Sequence, residues 1–310
     1  MRHAIRELQS IRPDCLLVVS AVISDVLRSA YEADGIPVFE DPSRAVAAVA
    51  ALVAFGRAFR QPPAQQIAPE KAKHAPVPDM SEYDAKRLLA DWRIPILDER
   101  LARNAEEAVA AYRTINAPVV LKIASADIAH KTEIGGVLLN VKDAVSVRDG
   151  FAELMRRAAE RAPTARIEGI LIAPYILGGV ETIIGVKRDP VFGPVIMFGL
   201  GGIFVEVLKD VALRLAPIDK PEALAMIGEI KGRAILEGVR GQEPGDTDAL
   251  ADALVNLSQF AAAHDDIESI DINPFLVLPR GRGAYALDAL VVSSSTRSNI
   301  STGPSLPDFR

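Results

Sequence analysis

The sequence predicts an α+β protein, α/β overall, whose sheets consist largely of antiparallel strands. From Met80 to about Val292, helical patterns alternate with short apolar runs, and several of these runs follow one another with no helix between them. The chain then closes on a hairpin pattern, in which "ESIDINPFLVL" and "AYALDALVV" flank the turn "PRGRG". Strands that follow one another without a crossover helix pair antiparallel, which argues against a doubly wound parallel sheet.

Residues 1–60 have the pattern of a partial α/β domain. "CLLVVSAVI" is an apolar run of strand length, "SDVLRSAYEADG" is helical with a glycine stop, and "IPVF" is a short strand. A helix then begins with Asp41 as its cap and Pro42 in its first turn. Because two strands are too few for a free-standing domain, we expect this segment to be the C-terminal part of a larger one.

The remaining segments follow from composition and periodicity. Residues 61–79 contain five prolines, which predicts an extended linker. In the domain 80–292, helices are expected at "SEYDAKRLLADW", "NAEEAVAAYRTI", 143–162, 220–238 and 246–264, with Asn104 and Glu107 forming a capping box. Strands are expected at "PVVLKIA", "GVLLNV", "GILIA", "ETIIGVKR" and "PVIMFGL". The polar tail 293–310 is expected to be disordered.

Composition and charge limit the class of protein. The 310 residues carry a net charge of -6, which argues against a nucleic-acid surface held by overall charge. No apolar run approaches the ~20 residues that span a bilayer, and the N-terminus lacks the apolar core of a signal peptide. With one cysteine, no disulfide can form within the chain. We therefore expect a cytoplasmic protein without a membrane or nucleic-acid partner.

Lys122 is the first candidate for chemistry. It lies inside the apolar strand "PVVLKIA", where an unpaired ammonium group would cost several kcal/mol. Its side chain either extends to the strand end and reaches water, or faces an anion such as a polyphosphate. The downstream segment "HKTEIGG" favours the anion, because it adds the cation of Lys131 and a glycine pair, Gly135 and Gly136, whose backbone can approach phosphate oxygens.

His130 stands between this lysine and the glycine pair. A lone loop histidine is most often an ordinary surface residue. Beside a phosphate site, however, an imidazole can accept a phosphoryl group as a nucleophile. The segment is not a Walker A loop, since G-x-x-x-x-G-K-[ST] does not occur in the sequence.

The closing hairpin contains a second group of polar residues. Antiparallel pairing about a turn near Gly281 places Asn273 within about one position of Asp288, and Asp271 shares the strand face of Asn273. Oxygen ligands of this kind suit Mg²⁺. The alternative is that "DINPF" is only a turn, in which asparagine and proline have turn roles.

Taken in order, three runs resemble the ATP-grasp domain of the NDP-forming acyl-CoA synthetases, the superfamily of ADP-forming acetate–CoA ligase and succinyl-CoA ligase. They are "PVVLKIASADIAHKTEIGGV", "GGVETIIGVKRDPVFGPVIMFGLGGIFVEVLKDVALRLAP" and "IESIDINPFLVL…AYALDALVV". The resemblance covers about Met80 to Val292 and implies an ATP-grasp fold of two α+β subdomains. Residues 1–60 resemble the final part of the CoA-ligase region that precedes this domain in fused members.

The resemblance implies roles for individual residues. Lys122 corresponds to the lysine that holds nucleotide phosphates. The implied nucleotide-binding set also includes Lys131, Gly135 and Gly136 at the phosphates, the backbone of Leu171, Ile172 and Ala173 at the adenine, Glu181 at the ribose, and Arg214 in a less defined role.

The same resemblance implies the catalytic and metal residues. His130 matches the histidine that is transiently phosphorylated, and Asp271 the acidic residue that helps to hold the phosphohistidine. Asn273 and Asp288 match the Mg²⁺ ligands. The CoA-binding domain and the second phosphohistidine loop of fused members have no counterpart in this sequence.

The implied function is the ATP-binding half of an ADP-forming acyl-CoA synthetase of the acetate–CoA ligase type. Its cofactors and co-substrates would be ATP/ADP, Mg²⁺ and CoA, with a small carboxylic acid as substrate. A CoA-binding α-type subunit or upstream domain is the expected partner. One alternative is a non-catalytic nucleotide-sensing module related to the ATP-grasp region of protein acetyltransferases. Another is an ATP-grasp ligase that joins a carboxylate to an amine, which the "HKTEIGG" run disfavours.

Overall fold

The computed structural model describes residues 2–60, 80–128, 131–202, 210–239 and 241–293. Its contacts separate the chain into two compact units, Met1–Ala64 and Gln65–Arg310. The linker expected at 61–79 and His130 lie outside the described residues, as does all of the expected tail except Ser293. In the part of the chain that the structure describes, every helix is too short or too polar to cross a bilayer.

The first unit is a small α/β layer around two parallel strands. Its elements are α1 (Arg2–Ile11), β1 (Val19–Ser20), α2 (Asp25–Ala33), β2 (Val38–Phe39) and α3 (Pro42–Arg60). Tyr31, Ile36 and Val38 form its buried core. The strand expected over residues 15–23 is reduced to Val19–Ser20, because β2 offers it only two residues to pair with, and α1 was not expected.

The second unit contains the remaining elements. They are α4 (Glu82–Asp91), β3 (Arg100–Ala102), α5 (Ala105–Ile115), β4 (Val119–Ala124), β5 (Val137–Val141), α6 (Ala144–Arg161), β6 (Gly169–Pro174), β7 (Val180–Asp189), β8 (Gly193–Leu200), β9 (Val211–Leu215), α7 (Lys220–Glu229), the 3₁₀ turn Lys231–Arg233, α8 (Ala234–Glu237), α9 (Thr247–Ala263), β10 (Ile267–Val277), β11 (Ala284–Ala286) and β12 (Leu290–Ser293). Every strand expected from the sequence in this unit is present, but "AYALDALVV" is divided into β11 and β12 with residues 287–289 between them.

Four strands form the first sheet of this unit, in the order β3-β6-β4-β5, and all of its pairs are antiparallel. Helices α5 and α6 pack on it, with Val109, Leu154 and Leu121 among the buried side chains of the shared core. Strand β4, which carries Lys122, is internal to the sheet.

Six strands form the second sheet, in the order β11-β10-β7-β8-β9, and β12 pairs with the same edge of β10 as β11 does. Helices α4, α7 and α9 supply apolar side chains to its core, among them Leu89, Met226 and Leu254. The antiparallel α+β architecture predicted from the sequence is therefore confirmed.

Polar side chains define where the helices begin. Asn104 accepts a hydrogen bond from the backbone N–H of Glu107 at 2.8 Å, as expected for the cap. The Glu107 carboxylate accepts from the N–H of Arg103 at 2.7 Å, so the glutamate reaches the residue before the cap and not the N–H of Asn104 that a capping box uses. The helix expected over 220–238 is interrupted after Glu229. The buried carboxylate of Asp210 accepts from the N–H groups of Lys231 and Gly232, which takes both donors away from a continuous helix.

Candidate functional site

Lys122 faces the junction between the two sheets of the second unit. Its side chain is 15% exposed, and its Nζ donates to the backbone oxygen of Leu287 at 2.7 Å. The same ammonium group pairs with the carboxylate of Glu82 at 3.2 Å. Lys122 belongs to the four-stranded sheet, whereas Leu287 precedes β12 of the six-stranded sheet. The lysine therefore does not extend to bulk water but enters a polar junction.

Glu82 is the centre of this junction. Its side chain is 2% exposed, and its carboxylate pairs with Lys86 at 2.6 Å and with Lys131 at 2.8 Å, in addition to Lys122. Lys86, which is fully buried, also pairs with Glu99 at 2.6 Å. Three lysines thus converge on one carboxylate. Lys86 comes from the same helix as Glu82, whereas Lys122 comes from β4 and Lys131 from the connection between β4 and β5.

The pKa values follow from burial and from these charges. Burial raises the pKa of Glu82, but the positive charges of Lys122, Lys86 and Lys131 outweigh it, and the pKa lies well below its usual range. Burial lowers the pKa of Lys86, and its two carboxylate partners more than reverse this effect. Both groups are therefore ionised at neutral pH.

Asn273 and Asp288 are brought together as the hairpin predicted. Phe275 pairs with Ala286, and Asp271 pairs with Leu290 in the same register. This register, continued through the residues between the two pairs, sets Asn273 opposite Asp288. Asp288 also lies 3.8 Å from the Nζ of Lys131. The structure therefore connects the hairpin group with the lysine junction.

Asp271 is the buried member of the hairpin group. Burial, followed by the negative charge of Asp288, raises the pKa of Asp271 to about 6. Burial also raises the pKa of Asp288, and the charge of Glu82 adds to this effect. Among the described residues, the Oδ1 atom of Asp271 is buried without a hydrogen-bond partner. Such an atom indicates that a ligand, or a residue outside the described ranges, completes the site.

These oxygens fit a magnesium ion. The amide of Asn273 and the carboxylates of Asp288 and Asp271 are hard oxygen donors close to one another. Within the described residues no three carboxylate, imidazole or thiol groups are arranged as a metal cage. Mg²⁺ usually takes one or two protein ligands and completes its shell with water and substrate phosphates.

The glycine pair forms a closed turn between β4 and β5. The N–H of Gly136 donates to the oxygen of Lys131 at 2.7 Å, and the N–H of Gly135 donates to Thr132 at 3.0 Å. The guanidinium of Arg157, on α6, donates to the Gly135 oxygen at 2.7 Å. In this conformation both glycine N–H groups are used inside the turn, so their expected contact with phosphate stays a prediction.

Leu171, Ile172 and Ala173 lie in β6 and are buried. Leu171 and Ile172 pair with both β3 and β4, so both of their strand edges are occupied. Ala173 pairs with β4 alone, and the strand ends at the next residue. Only the end of the expected adenine segment therefore has a free strand edge, and its role stays a prediction.

Glu181 and Arg214 lie in β7 and β9 of the six-stranded sheet. Glu181 is exposed at the start of β7, where its backbone oxygen accepts from Gly201 at 2.8 Å. Arg214 lies on the edge strand β9, which is three strand spacings, roughly 14 Å, from β10. Its guanidinium is paired with Glu229 at 3.0 Å and with Glu222 at 3.5 Å. The structure does not bring Arg214 to the hairpin group, and its role stays a prediction.

Sequence reasoning missed Glu82, Lys86 and Glu99. A signal for the first two was present in the helix "EYDAKRLL": a glutamate and a lysine four residues apart occupy the same helical stripe as Ala85 and Leu89. Charged residues on a buried face must have partners. Glu82 and Lys86 pair with each other, but their other partners, Lys122, Lys131 and Glu99, lie outside the helix, so the helical pattern alone could not name them.

Comparison with known proteins agrees with this geometry. The sequence profile of the ATP-grasp domain matches residues 71–292. The β subunit of acetate–CoA ligase [ADP-forming] I from Pyrococcus furiosus is 44% identical over 223 residues, which cover 72% of this chain and 95% of that subunit. Acetate–CoA ligase [ADP-forming] I from Archaeoglobus fulgidus is 39% identical over 267 residues, 83% of this chain but only 38% of that protein.

A solved structure has the same fold. The acetyl-coenzyme A synthetase 1 of Ca. Korarchaeum cryptofilum, in complex with coenzyme A and Ca-AMPCP, matches with a TM-score of 0.67 and 41% identity, over 69% of this chain and 93% of that one. The two α+β subdomains and the lysine-rich junction between them lie within the region that the ATP-grasp profile matches. The chain belongs to the ATP-grasp family, and its close relatives are the β subunits of ADP-forming acetate–CoA ligases.

Proposed function

We propose that this chain is the ATP-binding half of an ADP-forming acyl-CoA synthetase of the acetate–CoA ligase type. The observation that carries the proposal is the junction between the two sheets, where Lys122 and Lys131 share the carboxylate of Glu82 and Lys131 lies 3.8 Å from Asp288. The two ammonium groups can bind phosphate, and the nearby carboxylate of Asp288 can bind a metal ion. The names of the relatives support the same reaction.

Each group has one role in the proposed transfer. Lys122 and Lys131 hold the nucleotide phosphates by charge-assisted hydrogen bonds. A neutral ring nitrogen of His130 attacks the γ-phosphorus in line, so that the N–P bond forms while the bond to the ADP oxygen breaks and ADP leaves. Asp271 holds the phosphorylated imidazole. The phosphoryl group then passes to a carboxylate, and the thiol of CoA displaces phosphate from the acyl phosphate to give the thioester.

Asn273 and Asp288 would hold Mg²⁺, with Asp271 beside them. Bound magnesium neutralises charge on the phosphate oxygens. The rest of the nucleotide would lie along the turn of Gly135 and Gly136, with the adenine at Leu171–Ala173 and the ribose at Glu181. Arg214 is a further nucleotide-binding residue of the proposal. In this conformation its guanidinium is paired with carboxylates of α7 instead.

The proposed partner is a CoA-binding α-type subunit or domain. The Pyrococcus furiosus relative is named a β subunit, and this chain spans only 38% of the Archaeoglobus fulgidus relative.

We assign residues 1–60 to the last part of a CoA-ligase-like domain, residues 61–79 to a linker and residues 80–292 to the ATP-grasp domain. The partner region would bind CoA and a small carboxylic acid. ATP as substrate and a single cysteine favour the cytoplasm.

The direct test is phosphorylation of the purified chain by γ-labelled ATP with Mg²⁺. We expect an acid-labile, base-stable phosphoprotein that is absent from His130→Ala. Lys122→Ala should lower the labelling rate by roughly 10²-fold, the cost of removing one charged donor from a transition state. Lys220→Ala is the matched control, since Lys220 is an exposed lysine of α7.

Each outcome separates one hypothesis from another. Label on His130→Ala would contradict the assignment of the phosphorylated residue. Absence of label on the wild-type chain, with ADP binding intact and with a related α subunit added, would instead favour the nucleotide-sensing module. Absence of nucleotide binding would overturn the proposed function altogether.

A further inference from the structure

Two buried glutamates at the junction, Glu82 and Glu99, differ in the lysines with which they pair. Glu82 and Glu99 each pair with Lys86 at 2.6 Å, and both side chains are almost completely buried. Glu82 also reaches Lys122 and Lys131, the lysines of the opposite sheet. Glu99 has an ion pair with Lys86 only, among the described residues. Comparing the two glutamates therefore separates the effect of a negative charge on Lys122 and Lys131 from the effect of an ion pair to Lys86 on the stability of α4.

The ammonium groups of Lys122 and Lys131 both have partners within the chain. Lys122 uses two of its three N–H donors, on Glu82 and on the Leu287 oxygen. Lys131 pairs with Glu82 at 2.8 Å and lies 3.8 Å from Asp288. A phosphate oxygen on either ammonium group would therefore lie within a few ångströms of the buried negative charge of Glu82, in a place where water screens little.

We propose that Glu82 is the internal counter-ion of the nucleotide site: it positions Lys122 and Lys131 between nucleotides and, by opposing the phosphate charge, keeps ADP affinity low enough for release. The inference rests on the proposed function. Lys86 holds Glu82 in place by donating to its carboxylate, and it donates to Glu99 on its other side. Glu82 is a positioning residue, because it acts through the lysines and not on the nucleotide itself.

The experiment compares Glu82→Gln with Glu99→Gln by titration calorimetry of the full chain with ADP and Mg²⁺. Both variants remove one buried negative charge and one ion pair to Lys86, and glutamine keeps the shape. Removing the charge beside the phosphates should tighten ADP binding about tenfold in Glu82→Gln at low salt, and added KCl should reduce this gain. Glu99→Gln should change the affinity by less than about twofold, because its charge lies beyond Lys86.

The outcomes distinguish this inference from the proposed function. Wild-type binding of ADP, with Glu82→Gln binding equally or more weakly, would overturn the inference and leave the function intact. Equal tightening in both variants would also overturn it, since the effect would then be general charge. If the wild-type chain does not bind ADP, the proposed function itself fails.

A separate measurement checks that each variant folds. Thermal unfolding of both glutamine variants shows whether each is native. If Glu82→Gln does not fold, Glu82→Asp takes its place: it keeps the charge but withdraws the carboxylate by one methylene from Lys122 and Lys131. An intermediate tightening of roughly twofold to threefold would support the inference, and an affinity equal to or weaker than that of the wild type would overturn it.

Discussion

At the scale of single residues, charges buried between the two sheets dominate the site. Lys86 is fully buried yet paired on both sides, and Glu82 is stabilised by three lysines. Asp271 is the exception, because among the described residues the charge that shifts its pKa is that of another carboxylate, Asp288. A buried carboxylate without a cation destabilises the ionised folded state, and this has a measurable pH dependence.

We expect Asp271→Asn to stabilise the metal-free chain at pH 8 by roughly 2 kcal/mol and to have little effect at pH 4. The pKa of Asp271 is raised to about 6 from an ordinary value of 3.8, so the folded state binds the proton more tightly than the unfolded state does. The wild-type carboxyl group therefore costs stability increasingly as the pH rises from about 4 through 6. Urea unfolding in EDTA at several pH values measures this.

The control for this prediction is Asp248→Asn, an exposed carboxylate on α9. Its effect should stay within about 0.5 kcal/mol at every pH, as for most surface substitutions. A stabilisation of Asp271→Asn that is the same at pH 4 and pH 8 would contradict the assigned titration.

At the scale of elements, the connection between β4 and β5 presents Lys131 to the junction. Its last turn is closed by Gly135 and Gly136, and Arg157 of α6 donates to the Gly135 oxygen. Gly135 has φ +64, a region that favours glycine. Gly136 is required for another reason: a Cβ atom there would lie 2.9 Å from the Lys131 oxygen and 3.0 Å from Cδ1 of Ile123.

We expect Gly136→Ala to destabilise the chain by about 1–3 kcal/mol, since the backbone of Lys131 must shift to admit the methyl group. The shift also moves the Lys131 ammonium group, so ADP affinity should fall together with stability. Chemical denaturation and ADP titration measure the two effects.

Gly228→Ala is the matched control for this substitution. Gly228 lies in α7 with nothing within 4 Å of its added Cβ. Alanine there should stabilise the helix by roughly 0.5–1 kcal/mol and leave ADP binding unchanged. If Gly136→Ala behaved like Gly228→Ala, the tight packing of the turn would be refuted.

At the scale of the whole molecule, the two units differ in how complete their cores are. The second unit has two apolar cores, one under each sheet, and both are formed entirely from its own described residues. The first unit has a two-stranded sheet, and its exposed apolar side chains include Val26, Val46 and Phe55. A two-stranded sheet is at best marginally stable by itself.

We therefore expect a chain that begins at Met80 to fold and to bind ADP with an affinity within about threefold of the full chain, because the cores and the lysine junction are all retained. Circular dichroism during urea unfolding and ADP titration provide the readouts. Residues 1–64 expressed alone should show no cooperative transition. A Met80 chain that is unfolded, or that has lost ADP binding, would contradict this division.

Much of the fold followed from local patterns in the sequence. The alternation of helices and strands, the helix cap formed by Asn104 and Glu107, and the closing hairpin are all set by residues near one another in the chain. The hairpin pattern also placed Asn273 within about one position of Asp288, because a tight turn and a two-residue period leave little choice of pairing. The fold class is confirmed, whereas β1 was overestimated because strand length depends on the partner strand.

The family resemblance, the antiparallel α+β architecture and the candidate groups at Lys122, Lys131, Asn273 and Asp288 could all be inferred from the amino-acid sequence. The residues that surround these groups became known from the folded chain. The oxygen of Leu287 that Lys122 contacts lies 165 residues away, and Glu82 lies 40 residues away. No periodicity encodes such contacts, because they arise when two sheets pack against each other. A buried charge signals that it needs a partner, and only the folded chain shows which residue supplies it.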